Sequence, residues 1–160
     1  MRTIQAKPLS VEAFAPYGTY TDLLHPSGMD LNGFYRDQVL LPLSGRMPVA
    51  FSPLVVRKPA RRIVASAEYH DYTGEAILCL DDDVVLHVAP ASAAPVPQLT
   101  EAFVVPQGTL VCLRAGTWHL SAIPLHREEA HVLIVLPERT YHNDCHVVDY
   151  PPEDQVEILV

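Results

Sequence analysis

The sequence predicts a mainly β domain whose short antiparallel strands form a sandwich or a barrel. Its 160 residues are the length of one domain, so we expect a single domain over 1–160. Beyond residue 48, short apolar runs rich in valine and leucine follow one another, separated by proline, glycine and aspartate. Runs with this spacing, and without a sustained helical period, are typical of antiparallel β folds.

The N-terminal residues predict one strand and one short helix. Residues 4–9 read as a strand, and Ser10 then caps a helix over Val11–Phe14, which Pro16 and Gly18 end. A strand of this length forms no stable sheet alone. We therefore expect it to pair across a two-fold axis in a homodimer.

The remaining elements follow in chain order. Residues 19–46 are irregular, with turns at 26–28 and 32–33. Residues 91–97 hold two prolines among small residues and indicate an extended surface connection, and a last short element ends at 158–160. Strands are predicted over 49–56, 63–67, 76–80, 84–89, 102–105, 109–113 and 131–136.

Composition and charge exclude several classes of partner. The net charge of -8 and the pI near 5.3 oppose binding to nucleic acid or to anionic membranes. The three cysteines, Cys79, Cys112 and Cys145, are widely spaced and form no CxxC pair, which favours a reducing cytoplasm. The sequence shows no signal-peptide core and no apolar run of membrane-span length. We expect a soluble, cytoplasmic protein.

One block, 68–75, places a glutamate, a histidine and a second glutamate at relative positions 0, +2 and +7. Side chains alternate along an extended strand, so Glu68 and His70 point to the same side. Glu75 follows the turn signal Thr73-Gly74 and can return on the adjacent strand toward that pair.

A second block, 108–119, adds one more histidine, His119, just after the turn at Gly116. Two carboxylates and two imidazoles suffice to hold a divalent metal and still leave positions for a substrate. Glu68, His70, Glu75 and His119 are therefore the predicted metal ligands. The expected ion is nickel, manganese or zinc, and we expect no organic cofactor.

The two blocks resemble the two signature motifs of the cupin superfamily. The first motif reads H-x-H, three or four residues, then E; here Glu68 replaces its first histidine, while His70 and Glu75 fit. The second reads G-x5-P-x-G-x2-H, and Gly108, Gly116 and His119 match it. This resemblance implies an antiparallel jelly-roll barrel, here with a short N-terminal helix.

Within the cupins, the chain is similar to the ureidoglycolate lyase family over nearly its whole length. The segments that carry this resemblance are 8–18, 34–37, the Glu68-x-His70 block, 116–119 and 143–145. It implies cytosolic dimers that split ureidoglycolate into glyoxylate and urea in purine breakdown, with a divalent metal. Three segments depart from the family pattern: 69–73, Leu113-Arg114-Ala115, and Leu120 in place of a second histidine.

The implied reaction needs a base, an acid and a group that holds the substrate carboxylate. Glu68, Glu75 and His119 are the predicted catalytic residues. Either glutamate, where it does not hold the metal, is a candidate base, because burial raises a carboxyl pKa toward neutrality. An arginine offers a fork for a carboxylate, so Arg114 and Arg36, with Tyr35 beside it, are the predicted substrate contacts, and Arg57 is a third arginine. Strand alternation places Arg114 on the face of Cys112, and the apolar neighbours predict that this face points inward.

Other readings remain open from the sequence. Glu68 and Glu75 also fit solvent-facing strand positions, and Arg114 also fits an ion pair with an acid. His87 and His131 are predicted to be packed core histidines rather than ligands. The same pocket suits a binding protein for small carboxylates without catalysis, or a cupin that acts on another hydroxy or keto acid.

Overall fold

A computed structural model describes residues 1–43 and 45–160. Within these residues the chain forms seventeen strands, two short α-helices and a 3-10 turn at Pro97–Leu99. In chain order they are β1 (Arg2–Gln5), β2 (Lys7–Pro8), α1 (Val11–Phe14), β3 (Gly18–Asp22), β4 (Asp30–Leu31), β5 (Phe34–Tyr35), β6 (Val49–Arg57), β7 (Ile63–Val64), β8 (Ser66–Tyr69), β9 (Glu75–Cys79), β10 (Val84–Ala89), β11 (Glu101–Val105), β12 (Thr109–Leu113), β13 (Trp118–His119), β14 (Ile123–Pro124), β15 (Glu129–Pro137), α2 (Thr140–Asn143), β16 (His146–Asp149) and β17 (Val156–Leu159).

Three sheets build the fold. The central sheet has the strand order β16-β8-β13-β10-β11-β2, with β14 also paired to β10. The front sheet has the order β3-β12-β9-β15-β6, and the back sheet has the order β1-β17-β7. Strands β4 and β5 form a separate hairpin.

Two apolar clusters separate the sheets, and β10 belongs to both. Its residues Val84, Leu86 and Val88 pack into the cluster between the central and front sheets. Val85 and Ala89 pack into the second cluster, against side chains of the back sheet. Because both faces of β10 are covered, the strand is apolar without the alternation of a half-exposed strand.

The predicted fold class is confirmed: the chain is mainly β, of jelly-roll type, with a short helix near its N-terminus. That helix is α1, and the Ser10 hydroxyl accepts the Ala13 N–H at 3.2 Å as predicted for its cap. The hydrogen-bonded strand orders do not close into a ring. The front and central sheets instead face each other across the first apolar cluster.

The expectation for the first strand was wrong. Residues 4–9 do not form one strand, because β1 and β2 lie on different sheets. Strand β1 pairs in parallel with β17 and β2 pairs in parallel with β11, so this segment is paired within the chain. Each is the edge strand of its sheet, so this pairing within the chain leaves the pairing across a two-fold axis a prediction.

Two further features concern the remainder of the chain. The region 19–46, expected to be irregular, contains β3 and the β4-β5 hairpin, which turns through Gly33 at φ +86°. In the described part of the chain no helix is long and apolar enough to cross a membrane.

Candidate functional site

The predicted ligands meet between the central and front sheets. Glu68 lies on β8, His70 directly follows that strand, and His119 on β13 pairs in register with Glu68. Glu75 begins β9 of the front sheet. One ligand atom from each of the four residues lies within 4.8 Å of the others, and His70, Glu75 and His119 are buried. The four side chains that the sequence predicted as ligands lie together, and their role as ligands stays a prediction.

Two glycines allow the turns that build this arrangement. A Cβ on Gly74, which directly precedes Glu75, would overlap the carbonyl oxygen of Leu113. Gly116 has φ +78°, where L side chains are strained, and its N–H donates to the His70 carbonyl at 2.7 Å. The backbone contact at Gly116 therefore ties the turn before His119 to His70.

Backbone carbonyls fix the tautomer of both histidines. His70 Nδ1 lies 2.6 Å from the Asp144 carbonyl oxygen, and His119 Nδ1 lies 2.8 Å from that of Thr117. A carbonyl only accepts, so both Nδ1 atoms carry a proton. Both Nε2 atoms then point at the same Glu75 oxygen, at 2.9 Å and 3.1 Å.

Glu75 and His119 shift each other's pKa. Burial by itself raises the pKa of Glu75, but His119 and His70 outweigh it and hold that pKa well below 4.5. Burial by itself lowers the pKa of His119, but the Glu75 carboxylate outweighs it and raises that pKa above 6.5. The site therefore favours a positive charge between the imidazoles and the carboxylate.

This arrangement fits a divalent metal ion. If both imidazoles are neutral, each Nε2 presents a lone pair to an anionic oxygen, which is repulsive without a cation or an added proton. Carbonyl partners on Nδ1 are the usual means of orienting a metal-binding imidazole. Two imidazoles and two carboxylates also suit first-row divalent metals.

The fourth residue of the cluster, Glu68, is contacted by a cysteine. The Cys145 thiol donates to Glu68 Oε2 at 3.1 Å. Burial first, and then the neighbouring Glu68 carboxylate, raise the pKa of Cys145 to about 12, so the sulfur stays protonated. Cys145 is thus a hydrogen-bond donor here and not a nucleophile.

A cavity of about 130 Å³ opens beside the cluster. Apolar side chains from β6 and β15 form one wall, and Tyr141 of α2 forms another. Its lining residues are Leu54, Glu68, His70, Glu75, Ser121, Ile134, Leu136, Tyr141 and Cys145. Three of the four clustered residues, Glu68, His70 and Glu75, thus line a small space that can admit a substrate.

The predicted substrate contacts lie elsewhere. The inward orientation predicted for Arg114 was wrong, because β12 ends at Leu113 and Arg114 is exposed, with Nη1 donating to the Ala15 carbonyl at 2.6 Å. Arg36 is also exposed, and its Nη2 lies 3.2 Å from the Met29 sulfur. Tyr35 is half-buried on β5. Their substrate-binding roles remain predictions.

The two histidines predicted to be packed in the core differ from each other. His87 is 3% exposed and makes no hydrogen bond among the described residues, which confirms its burial. Burial first, and then His119, lower the pKa of His87 to about 3. The prediction for His131 was wrong, since its side chain is half-exposed and its Nδ1 lies 2.7 Å from Asp81.

Sequence reasoning missed the part played by the segment after α2. The Asp144 carboxylate accepts the N–H groups of Asp71 and Tyr72 at 2.8 Å and 2.9 Å, while its carbonyl holds His70. Because Cys145 also donates to Glu68, this segment contacts two of the four clustered residues, His70 and Glu68. The only signal in the sequence was that 143–145 belongs to the family resemblance.

Comparison with known proteins identifies the family. The family model described as ureidoglycolate lyase matches residues 49–157, which include all four clustered residues. The chain belongs to the ureidoglycolate lyase family.

Curated members of this family match almost end to end. The ureidoglycolate lyase of Pseudomonas aeruginosa is 27% identical over 168 residues, covering 98% of this chain and 95% of the relative. That of Pseudomonas entomophila is 28% identical, covering 99% and 98%. A putative ureidoglycolate lyase of Agrobacterium fabrum is 27% identical, covering 78% and 77%.

Solved structures similar to this member of the ureidoglycolate lyase family include RmlC proteins. RmlC from Streptococcus suis, in complex with dTDP-D-xylose, has a TM-score of 0.41 and 10% identity, covering 56% of this chain and 44% of that one. The epimerase RmlC from Legionella pneumophila has a TM-score of 0.38 and 18% identity, covering 72% and 56%. Likeness at this level carries no information about the ligand.

Proposed function

We propose that this chain is a metal-assisted ureidoglycolate lyase that splits ureidoglycolate into glyoxylate and urea. The observation that carries the proposal is the family match over 49–157, within which the four predicted ligand residues converge. We further propose a cytoplasmic enzyme that acts on a small carboxylate and has neither nucleic acid nor membrane as a partner.

Glu68, His70, Glu75 and His119 are the proposed metal ligands, with nickel, manganese or zinc as candidate ions. Such an ion, when bound, polarises the substrate hydroxyl and lowers its pKa. Glu75 anchors the site, because one of its oxygens already faces both imidazoles. His119 contributes a catalytic imidazole whose orientation the Thr117 carbonyl fixes.

Glu68 is the better placed of the two acids to act as a base. Both acids line the cavity, but the contact of Glu68 is a neutral thiol, whereas Glu75 faces two imidazoles. Glu68 would act as the base through the carboxylate oxygen that does not hold the ion. As the carboxylate takes the hydroxyl proton, the C–O bond becomes a carbonyl and the C–N bond breaks with its electron pair going to nitrogen. The same proton, passed from Glu68 to that nitrogen, completes urea.

We also propose a homodimer, as the family resemblance implies. The support on the surface is a series of large apolar side chains between residues 23 and 47, which is more than scattered exposure explains. Leu24, Met29, Phe34 and Leu40 are each more than 60% exposed. A partner subunit would remove this surface from water.

The decisive experiment measures both products from ureidoglycolate. Urea and glyoxylate should appear in equal amounts and above the rate in buffer alone, and ammonia should be absent until urease is added. Glu68→Gln should abolish turnover, whereas Glu129→Gln, an exposed acid paired with Arg57, serves as the matched control. Parent protein that binds glyoxylate but never exceeds the buffer rate would refute the enzyme and support a binding protein.

A further inference from the structure

A second cavity, of about 200 Å³, adjoins the cavity at the four-ligand cluster. The two cavities share Leu54, Ile134, Leu136 and Tyr141 as walls. Alternate residues of β6 and β15 point the same way, and Leu54 and Ile134 pack against the core between the front and central sheets. The second cavity therefore extends the first along the inner face of the front sheet.

The first cavity has a charge problem for an anionic substrate. Two carboxylates, Glu68 and Glu75, face it, and no lysine or arginine is among its described lining residues. A substrate carboxylate left beside them without a cation on its own side would be repelled. The extension supplies one basic side chain among its described lining residues, that of Arg139.

Backbone structure fixes where Arg139 stands. It precedes α2 with φ 64°, and its carbonyl accepts the N–H groups of His142 at 2.9 Å and Asn143 at 3.0 Å. The same short helix leads directly into Asp144 and Cys145, which touch His70 and Glu68. One short segment thus connects Arg139 to the ligand cluster.

The guanidinium of Arg139 is available for a ligand. Its recorded contact is Nε to Glu138 at 3.2 Å, an exposed pair with side chains 65% and 43% accessible. Such an exposed ion pair contributes little to stability, so the guanidinium can leave Glu138 for a ligand at little cost. Both Nη groups have no recorded partner in the described parts of the chain, whereas Arg114 spends Nη1 on a backbone carbonyl.

We propose that Arg139 anchors the carboxylate of the substrate at the mouth of the site. This inference rests on the proposed function and names the residue that binds the carboxylate of its substrate class, the 2-hydroxy monocarboxylates. The fork of an arginine suits a carboxylate, and the other described residues that line the second cavity carry no charge to pair with a second charged group. Arg139 is thus a specificity residue that the sequence alone did not reveal.

The test compares two ligands on the purified protein by calorimetry: glycolate, a 2-hydroxy carboxylate, and glycolamide, its neutral amide. Arg139→Asn removes the guanidinium but keeps a residue that tolerates the left-handed backbone. It should weaken glycolate binding about 10- to 100-fold and leave glycolamide within about twofold. Arg139→Lys should fall between parent and Asn, because it keeps the charge and loses the fork.

Arg127→Asn is the matched control, since Arg127 is an exposed arginine with an acidic partner, Asp81, 3.7 Å away. Both ligands should bind it as they bind the parent. The proposal is overturned if Arg139→Asn keeps the parent's glycolate affinity, if it loses both ligands equally, or if the parent binds no glycolate. Loss of glycolate in Arg114→Lys but not in Arg139→Lys would return the role to Arg114.

The outcome separates this inference from the proposed reaction. A parent that releases no urea, with glycolate binding lost in Arg139→Asn, would remove the reaction and keep the anchor. A parent that releases urea, with glycolate binding unchanged in Arg139→Asn, would keep the reaction and remove the anchor.

Discussion

Replacing Glu75 by glutamine should cost this site most of its metal affinity. The change keeps the shape and removes the charge that both imidazoles face, at 2.9 Å and 3.1 Å. Taking one partner from a buried charge set costs about 3–5 kcal/mol. At 1.4 kcal/mol for each tenfold change, we expect affinity for nickel or zinc to fall at least ~100-fold.

The metal-free protein should respond to the same change in a pH-dependent way. The pKa of His119 is raised in the folded protein by Glu75, so its stabilising effect is fully present below pH 6.5, the ordinary value for histidine. That effect is lost as the pH rises through the folded pKa. Glu75→Gln removes the cause, so the variant should be less stable than the parent at pH 6 and should approach it above pH 8.

Denaturant unfolding of metal-free protein from pH 6 to 9, together with metal titrations at pH 8, measures both effects. Glu129→Gln is the control, because Glu129 makes an exposed pair with Arg57 at 3.3 Å and should change neither quantity. A Glu75→Gln variant that binds metal within about threefold of the parent, or whose stability gap does not close with pH, would refute this account of the cluster.

Four further outcomes are expected. The purified protein should hold close to one divalent ion per chain by elemental analysis, with affinity falling as the pH drops through about 6, because protons compete for the imidazoles; no uptake of nickel, manganese or zinc would contradict the four-ligand centre. The depressed pKa of His87 means that only the unfolded chain takes up its proton between pH 6.5 and about 3. The parent should therefore lose up to about 1.4 kcal/mol per pH unit on acidification, and His87→Leu should reduce this slope; equal slopes by denaturant unfolding would contradict the buried neutral imidazole. Asp144→Ala removes the acceptor for two backbone N–H groups and should lower the unfolding free energy by about 1–3 kcal/mol and metal affinity about tenfold, whereas unchanged calorimetry and titrations would contradict this supporting role of Asp144. Light scattering at micromolar concentration should report the mass of a dimer, and the mass of a monomer would contradict the proposed homodimer.

The sequence by itself determined the β-rich class, the capped helix α1 and the four clustered residues. Apart from His119, which the second sequence block supplied and which pairs with Glu68 at long range, these features have local causes. Alternation along a strand places Glu68 and His70 on one side, and a turn at Gly74 returns the chain to Glu75. Spacing alone therefore predicts which side chains share a face, without knowledge of the remainder of the chain.

Only the tertiary structure decided what surrounds those residues. The carbonyl that fixes His70 belongs to Asp144, 74 positions along the chain, and the thiol on Glu68 comes from Cys145, 77 positions away. No local pattern encodes contacts of this separation, because they arise when β8 and the segment after α2 pack together. The same reason explains why Arg114 faces solvent and Arg139 lines the cavity extension: strand β12 ends one residue too early for alternation to hold, and α2 places the second arginine.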